Sequence, residues 1–375
     1  MQYQWIKTKE QLDTVCEAAR QQSVVMLDTE FVRVRSFYPK LGLIQLYDGE
    51  TVSLIDPLSI ADMGAFRELL VDQSVLKVLH ACGEDLEVFL HHFNAAPEPL
   101  VDTQLMAAFL GFGVSVGFAA LVNEFVGVEL DKSESRADWL ARPLTAKQKD
   151  YAAADVLYLL PVFEQLKAKV DEQGWWQASL EESLSQIDKR KRPVELDRAY
   201  LNVKAAWQLQ PNQLATLKLL ASWRLEEALR RDLALNFVCR DNDLLTISKL
   251  GLINPRRMVE EGVDEKMLQR HGNKLSQLVK QAYALDESEY PAAIVPISEY
   301  PGYKQLFKTL KDVVSGVASQ TGLAAEFLAS RKQLNQLISW VWKKQCAPES
   351  APEIITGWRA ELVGEKVLAK IPKRD

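Results

Sequence analysis

Cysteine and histidine are scarce in this 375-residue chain, which carries only four of each. Cys16, Cys82, Cys239 and Cys346 are scattered, form no Cys-x-x-Cys pair and make no cluster with His80, His91, His92 or His271. Neither a disulfide framework nor a structural zinc site is expected. Also missing is any apolar run near the roughly 20 residues that cross a bilayer. The N-terminal stretch "MQYQWIKTKEQLDTVCEAARQQ" is polar and of mixed charge, so the chain reads as soluble and cytoplasmic. A composition of 47% hydrophobic and 26% charged residues excludes disordered and fibrous classes, and the length suits two or three domains.

Charge is unevenly spread. Residues 1–190 hold 17 basic against 29 acidic side chains, whereas residues 191–375 hold 28 against 22. An acidic front suits cation binding and a basic rear suits a polyanion.

The front alternates strand-like and helix-like runs, as an α/β domain does. "VVMLDTEF", "LGLIQLYD" and "TVSLIDP" read as three strands, the last two joined at Asp48-Gly49; "VLKVLHA" and "PLVDTQ" read as two more. "ADMGAFRELLVD", "GEDLEVFLHHF", "TQLMAAFLG" and one long run from about Ala146 through Val170 read as helices. The expectation is a mixed sheet flanked by helices. The basic run Lys189 to Arg192 before Pro193 ends this first domain, at residues 1–190. Behind it, an ungapped offset of 90 aligns Leu233 with Leu323, Phe237 with Phe327, Val238 with Leu328, Leu244 with Leu334 and Ile247 with Leu337. Two tandem all-α modules, 205–290 and 298–375, are therefore expected.

The opening acids of the chain raise a chemical problem. Asp28 and Glu30 sit two apart on a strand, hence on one face. Ionised carboxylates that close repel, and desolvating them is costly. Asp85 stands at the start of a helix following a strand, a position where an acid can also simply complement the helix dipole. Tyr151 and Asp155 are a helical turn apart in "YAAAD", with three alanines between them that leave room for close approach. Four acids without a basic neighbour in sequence form an oxygen-only ligand set, suited to Mg²⁺ or Mn²⁺. Two such ions about 3.5–4 Å apart can activate water and steady the leaving oxygen of a phosphodiester. Tyr151, with an ordinary pKa of about 10, is a poor base and would position the water.

"LDTEF", "HACGEDLE" and "YAAAD" resemble, in order and spacing, the three motifs of the DEDD exonuclease superfamily in its tyrosine subgroup. "YPKLGLIQL" and "KSESRADWLARPLT" are similar to the bacterial ribonuclease D family, and "LLASWRLEEALRRDLALNFVCRDNDLLTIS" resembles the HRDC domain. The second module departs from the HRDC pattern, with Val313 and Val314 in place of Trp223 and Arg224. The resemblance implies a ribonuclease H-like fold and 3′-to-5′ hydrolysis of RNA ends to nucleoside 5′-monophosphates, with tRNA precursors as substrates. It implies that Asp28, Glu30 and Asp155 hold one metal, that Asp28 bridges to a second, and that Asp85 holds the second partly through water. Phe31, Gln45, Lys132, Arg136, Trp139 and Arg142 are candidates for contacting the terminal nucleotide. Lys218, Arg224, Arg230, Arg231 and Arg240 could offer a basic face to the tRNA body. A monomer without membrane contact is expected. Two alternatives stay open: DNA as the substrate of the same acids, and a nucleic-acid binding module with an inert exonuclease fold.

Overall fold

The computed structural model describes residues 1–344 and 346–373. The chain divides into two compact units, one of Met1–Val32, Pro39–Arg192 and Pro301–Asp375, the other of Arg33–Tyr38 and Pro193–Tyr300.

The first unit is built on a six-stranded mixed sheet in the order β1-β4-β3-β2-β5-β6. Its strands are β1 (Gln4–Ile6), β2 (Val24–Val32), β3 (Lys40–Tyr47), β4 (Val52–Ile55), β5 (Leu76–Leu79) and β6 (Leu100–Asp102). β2 runs antiparallel to β3 and parallel to β5, so it lies in the middle of the sheet. The sequence reading missed β1, an edge strand of three residues with only Ile6 buried, too short to show a period. The β3–β4 connection turns at Asp48 as expected: its carboxylate accepts the Glu50 and Thr51 N–H groups at 2.9 and 2.7 Å.

The strand alternation splits the core. Val25, Leu27, Ile44 and Leu46 pack with Leu12, Phe66, Leu69 and Phe89. These come from the face covered by α1 (Lys9–Arg20), α2 (Gly64–Val71) and α3 (Gly83–Phe93). Met26, Leu43, Leu54 and Val78 pack on the other face with Met106, Leu121, Ala152, Ala153 and Val162. That side carries α4 (Thr103–Phe109), α5 (Phe118–Val126), α6 (Ala146–Leu157) and α7 (Leu159–Glu172). The expected single helix from Ala146 through Val170 is thus two helices meeting at Tyr158. Pro161 supplies the reason: it has no N–H for the Leu157 carbonyl, and its ring crowds that carbonyl.

The final helix of the exonuclease portion, α8 (Trp176–Lys191), carries the C-terminal module within the same unit. The Phe109 ring lies 4.8 Å from those of both Phe327 and Trp358 and stacks on Trp175 at 5.5 Å. The buried carboxylate of Glu182 accepts hydrogen bonds from the Arg359 guanidinium and, at 3.0 Å, from Trp358 Nε1. Burial would raise the pKa of Glu182, but the Arg359 charge outweighs it and holds the group ionised.

In the second unit, α9 (Pro211–Arg231), α10 (Leu235–Val238), α11 (Asp241–Leu250), α12 (Pro255–Glu260) and α13 (Glu265–Tyr283) enclose one apolar core. The repeat is visible as structure. α14 (Tyr303–Thr321), α15 (Ala325–Leu328) and α16 (Arg331–Lys343) reproduce α9, α10 and α11, with α10 and α15 bounded at positions 90 apart. Both first helices end on a left-handed residue, Asp232 at φ 50° and Gly322 at φ 75°. Segment Arg33–Tyr38 is tied into this unit: the Asp232 carboxylate accepts the Tyr38 N–H at 2.9 Å and the Ala234 N–H donates to the Arg35 carbonyl at 2.8 Å.

At Gly42 on β3 the backbone of Trp139 comes so close that an added Cβ would lie 2.5 Å from its carbonyl oxygen. Backbone cannot swing aside as a side-chain tip can. Gly42→Ala is expected to cost about 2–3 kcal/mol in urea unfolding, as overpacking does. Gly117→Ala, where nothing lies within 4 Å, should stay within about 0.5 kcal/mol of wild type.

Candidate active site

β2 pairs with β5 only from Val24 to Met26, while its pairing with β3 continues to Val32. Beyond Met26 the β5 side of β2 is therefore unpaired, and the site is built around this opening. Asp28 and Glu30 share the face of Met26, and Thr29 points the opposite way, toward the side of α3. There the Thr29 hydroxyl donates a hydrogen bond to the Asp85 carboxylate in the first turn of α3.

The loop carrying Asp85 is fixed from below. The buried Asp102 carboxylate, which caps α4, accepts the Ala81 and Cys82 N–H groups at 2.9 and 3.0 Å. This holds Ala81 at φ 54°, a conformation that non-glycine residues rarely occupy. Thr29 and Asp102 are positioning residues that the sequence reading missed. The threonine between two motif acids and the Asp-Thr pair at a strand end were the available signals.

From the other face comes α6, begun by a capping box between Thr145 and Gln148. Ala152 and Ala153 are fully buried, so what their small side chains admit is the sheet itself. This close approach brings Asp155 to β2. One carboxylate oxygen from each of Asp28, Glu30 and Asp155 lies within 4.8 Å of the others. The Tyr151 hydroxyl hydrogen-bonds to Asp155, and its ring sits 6.1 Å from that of Trp139.

The electrostatics reflect the crowding. Burial, then the charges of Asp85, Asp155 and Glu30, push the Asp28 carboxyl well above the usual carboxylate range. Glu30 is raised to about 9 by burial and then by Asp155 and Asp85. Burial lifts Asp155 to about 7, against the stabilising Tyr151 hydrogen bond, and lifts Asp85 to about 6 against that of Thr29. Tyr151 is raised by burial and by three of the acids, so its hydroxyl keeps its proton. Among the described residues no lysine or arginine forms an ion pair with any of the four acids. An oxygen-only donor set with unrelieved negative charge fits hard divalent cations.

The six candidate nucleotide contacts part company. Phe31 is half-buried at the bulge that follows Glu30, and Lys132 and Arg136 are exposed on the turn before α6. Gln45, opposite Asp28, is fully buried, so it has no surface to offer a substrate. Trp139 is 1% exposed and belongs to the core. Nor is Arg142 free for phosphate: its guanidinium holds the Asp56 carboxylate at 2.6 Å and donates to the Gly42 and Trp139 carbonyls. The segment leading into α6 is thereby strapped to β3 and β4. Tyr151, Ala154 and Asp155 of α6, Tyr158 just after it, and Val128 and Leu130 line a pocket of about 250 Å³ beside Asp155.

The family described as "3'-5' exonuclease" matches residues 3–171, the HRDC domain matches 213–279, and the "Ribonuclease D, C-terminal HRDC domain" matches 301–367. Ribonuclease D of Musicola paradisiaca is 47% identical over 366 residues, covering 97% of both chains. Ribonuclease D of Escherichia coli K12 is 46% identical over 365 residues, again 97% of each. The chain belongs to the ribonuclease D family. The crystal structure of Escherichia coli RNase D, described as an exoribonuclease involved in structured RNA processing, superposes with a TM-score of 0.95 at 45% identity, covering 99% of this chain and 98% of that one. As a ribonuclease D family member the chain is a 3′-5′ exonuclease with HRDC domains, and no helix among its described residues is long and apolar enough to cross a membrane.

Because their folded pKa values exceed those of an unfolded chain, these acids lower the stability of the metal-free protein as pH rises from about 4. That loss levels off only above the folded values of about 6 for Asp85, about 7 for Asp155 and about 9 for Glu30. A cation favours the ionised forms and restores what is lost. The Tm gain from saturating Mg²⁺ should therefore grow between about pH 5 and about pH 8.5. In Asp28→Asn/Asp155→Asn the gain should be small and flat across that range.

Proposed function

We propose that this chain trims the 3′ ends of RNA, tRNA precursors among them, with two divalent cations, Mg²⁺ or Mn²⁺, held by Asp28, Glu30, Asp85 and Asp155. The observation that carries the reading is the gathering of Asp28, Glu30 and Asp155 oxygens within 4.8 Å, with no cationic side chain paired to them among the described residues, in a chain of this family. Bound there, such ions supply positive charge to the scissile phosphate and make water more acidic. Asp28, which feels the charges of both Asp85 and Asp155, would help hold both ions, and Asp85, positioned by Thr29, would help hold one of them.

Tyr151 works as a neutral hydroxyl. Burial raises its pKa and disfavours a tyrosinate base, while its bond to Asp155 fixes the oxygen where it can orient the attacking water. The water attacks phosphorus, the bond to the 3′ oxygen breaks, and the products are a nucleoside 5′-monophosphate and a shortened RNA with a free 3′ hydroxyl. The pocket of about 250 Å³ beside Tyr151 has room for part of the terminal nucleotide, with Phe31, Lys132 and Arg136 as the remaining candidates to contact it. We take the protein to act as a cytoplasmic monomer.

With a tRNA precursor bearing a 3′ extension, wild type and Mg²⁺ should release monophosphates and stop near the mature end. Asp28→Asn should lower the rate on the order of a thousandfold, and Tyr151→Phe about a hundredfold, both with RNA affinity nearly unchanged. Digestion of a matched DNA strand at the rate of the RNA, or full activity of Asp28→Asn, would contradict the reading.

A further inference from the structure

The two helical modules treat one place in their shared architecture in opposite ways. In the first, Arg224 of α9 is 4% exposed and fills the angle between α9 and α11. Its guanidinium donates to the Cys239 carbonyl at 3.0 Å and to the Asp241 carboxylate at 2.7 Å, a self-contained plug. Ninety residues on, Arg224 becomes Val314, and Asp241, the partner of the plug, becomes Arg331. Both halves of the ion pair are gone.

What remains is a groove of about 530 Å³ between α14 and α16. Val314, Ala329 and Leu334 form its apolar floor, Phe307 one wall, and Lys311, Arg331 and Lys332 its rim, with Glu326 the single acid of the lining. Among the described residues none of the three cations has an ion-pair partner; Arg331 only lies over the Phe307 ring at 5.4 Å. Arg331 and Lys332 also occupy the first turn of α16, which contains no acid. That end of a helix disfavours cations. Its N–H groups do not supply the attraction, since Ser330 and Gln333 already close a capping box there. Three unneutralised cations around a concave surface match a phosphodiester chain, whose charges they would pair.

We propose that this groove of the C-terminal module is a docking surface for the sugar-phosphate backbone of RNA, built where the repeat has lost its internal ion pair. The inference rests on the RNA reading above. It is tested with a fluorescent RNA hairpin bearing a single-stranded 3′ extension, whose binding to the full chain is followed by anisotropy in EDTA across a salt series.

Lys311→Gln/Arg331→Gln/Lys332→Gln should weaken binding at least tenfold at low salt. It should reduce the slope of log affinity against log salt by about 2, near 0.7 for each single-strand phosphate lost. Lys304→Gln/Lys366→Gln/Lys370→Gln removes as much charge from the same module outside the groove and should leave the slope within about 0.5 of wild type. An unchanged slope in the first variant, or an equal loss in the second, overturns the proposal. Release of monophosphate from a trinucleotide with Mg²⁺ separates the two readings. If wild type cleaves it and the groove variant binds the hairpin normally, the groove alone fails; if wild type does not cleave it, the exoribonuclease reading fails. Val314→Arg/Arg331→Asp, which rebuilds the plug of the first module, should reproduce the loss of binding. The charge variant decides the matter even if that repacked variant does not fold.

Discussion

Desolvation of four carboxylates, sharpened at Asp28 and Glu30 by the charges of neighbouring acids, is the constraint around which the first unit is arranged. Left alone it opposes folding, since burial is the leading cause that raises all four acids. The fold tolerates it because the four acids come from three different anchorages: a central strand that carries Asp28 and Glu30, the first turn of a helix beside that strand's unpaired edge, and an alanine-faced helix pressed onto the sheet. None of these elements can relax away without giving up core packing. Charge that cannot disperse and, among the described residues, has no cationic side chain to pair with leaves a metal ion as the partner that fits.

Much of the surrounding structure serves to keep that arrangement from drifting. Arg142 ties Asp56 to the Gly42 and Trp139 carbonyls, Trp139 in turn backs the Tyr151 ring, and Gly42 has no side chain so that this strand of contacts can close. On the opposite side Asp102 grips the backbone before α3. A tyrosine whose pKa is raised and whose hydroxyl is held by Asp155 needs such backing, because its contribution is one of orientation, and orientation is lost with small displacements.

The acids were legible in the sequence because their setting is local: Asp28 and Glu30 two apart on a strand, Asp85 in the first turn of a helix, Asp155 four residues after Tyr151 on another. The mixed sheet and the 90-residue repeat were legible for the same reason, since periodicity survives in short windows. Burial was not. Gln45, Trp139 and Arg142 are the residue types that contact nucleic acids, and only tertiary packing turns the first two inward and occupies the third with Asp56. Arg224 went the same way, paired with Asp241, and Arg230 and Arg231 share Glu227, so the basic face expected of the first module is thinner than the residue count suggested. The attachment of the C-terminal module was hidden because Glu182 and Arg359 stand 177 residues apart.

The repeat also shows how one structural position serves two ends. Phe237 and Phe327 occupy the same corner, in the short helix that follows the first helix of each module. Phe237 is 48% exposed and carries the Arg35 guanidinium at 5.0 Å, while Phe327 is 6% exposed and packed between Phe109 and Trp358. An aromatic ring offers both an apolar body to bury and a face that attracts cations. The same corner can therefore hold a charged loop in one copy and seal a core in the other. That corner and Arg359 anchor the second copy to α4 and α8, so its packing is held without the internal ion pair that the first copy has. The position of the pair is thereby free to stand as a basic groove.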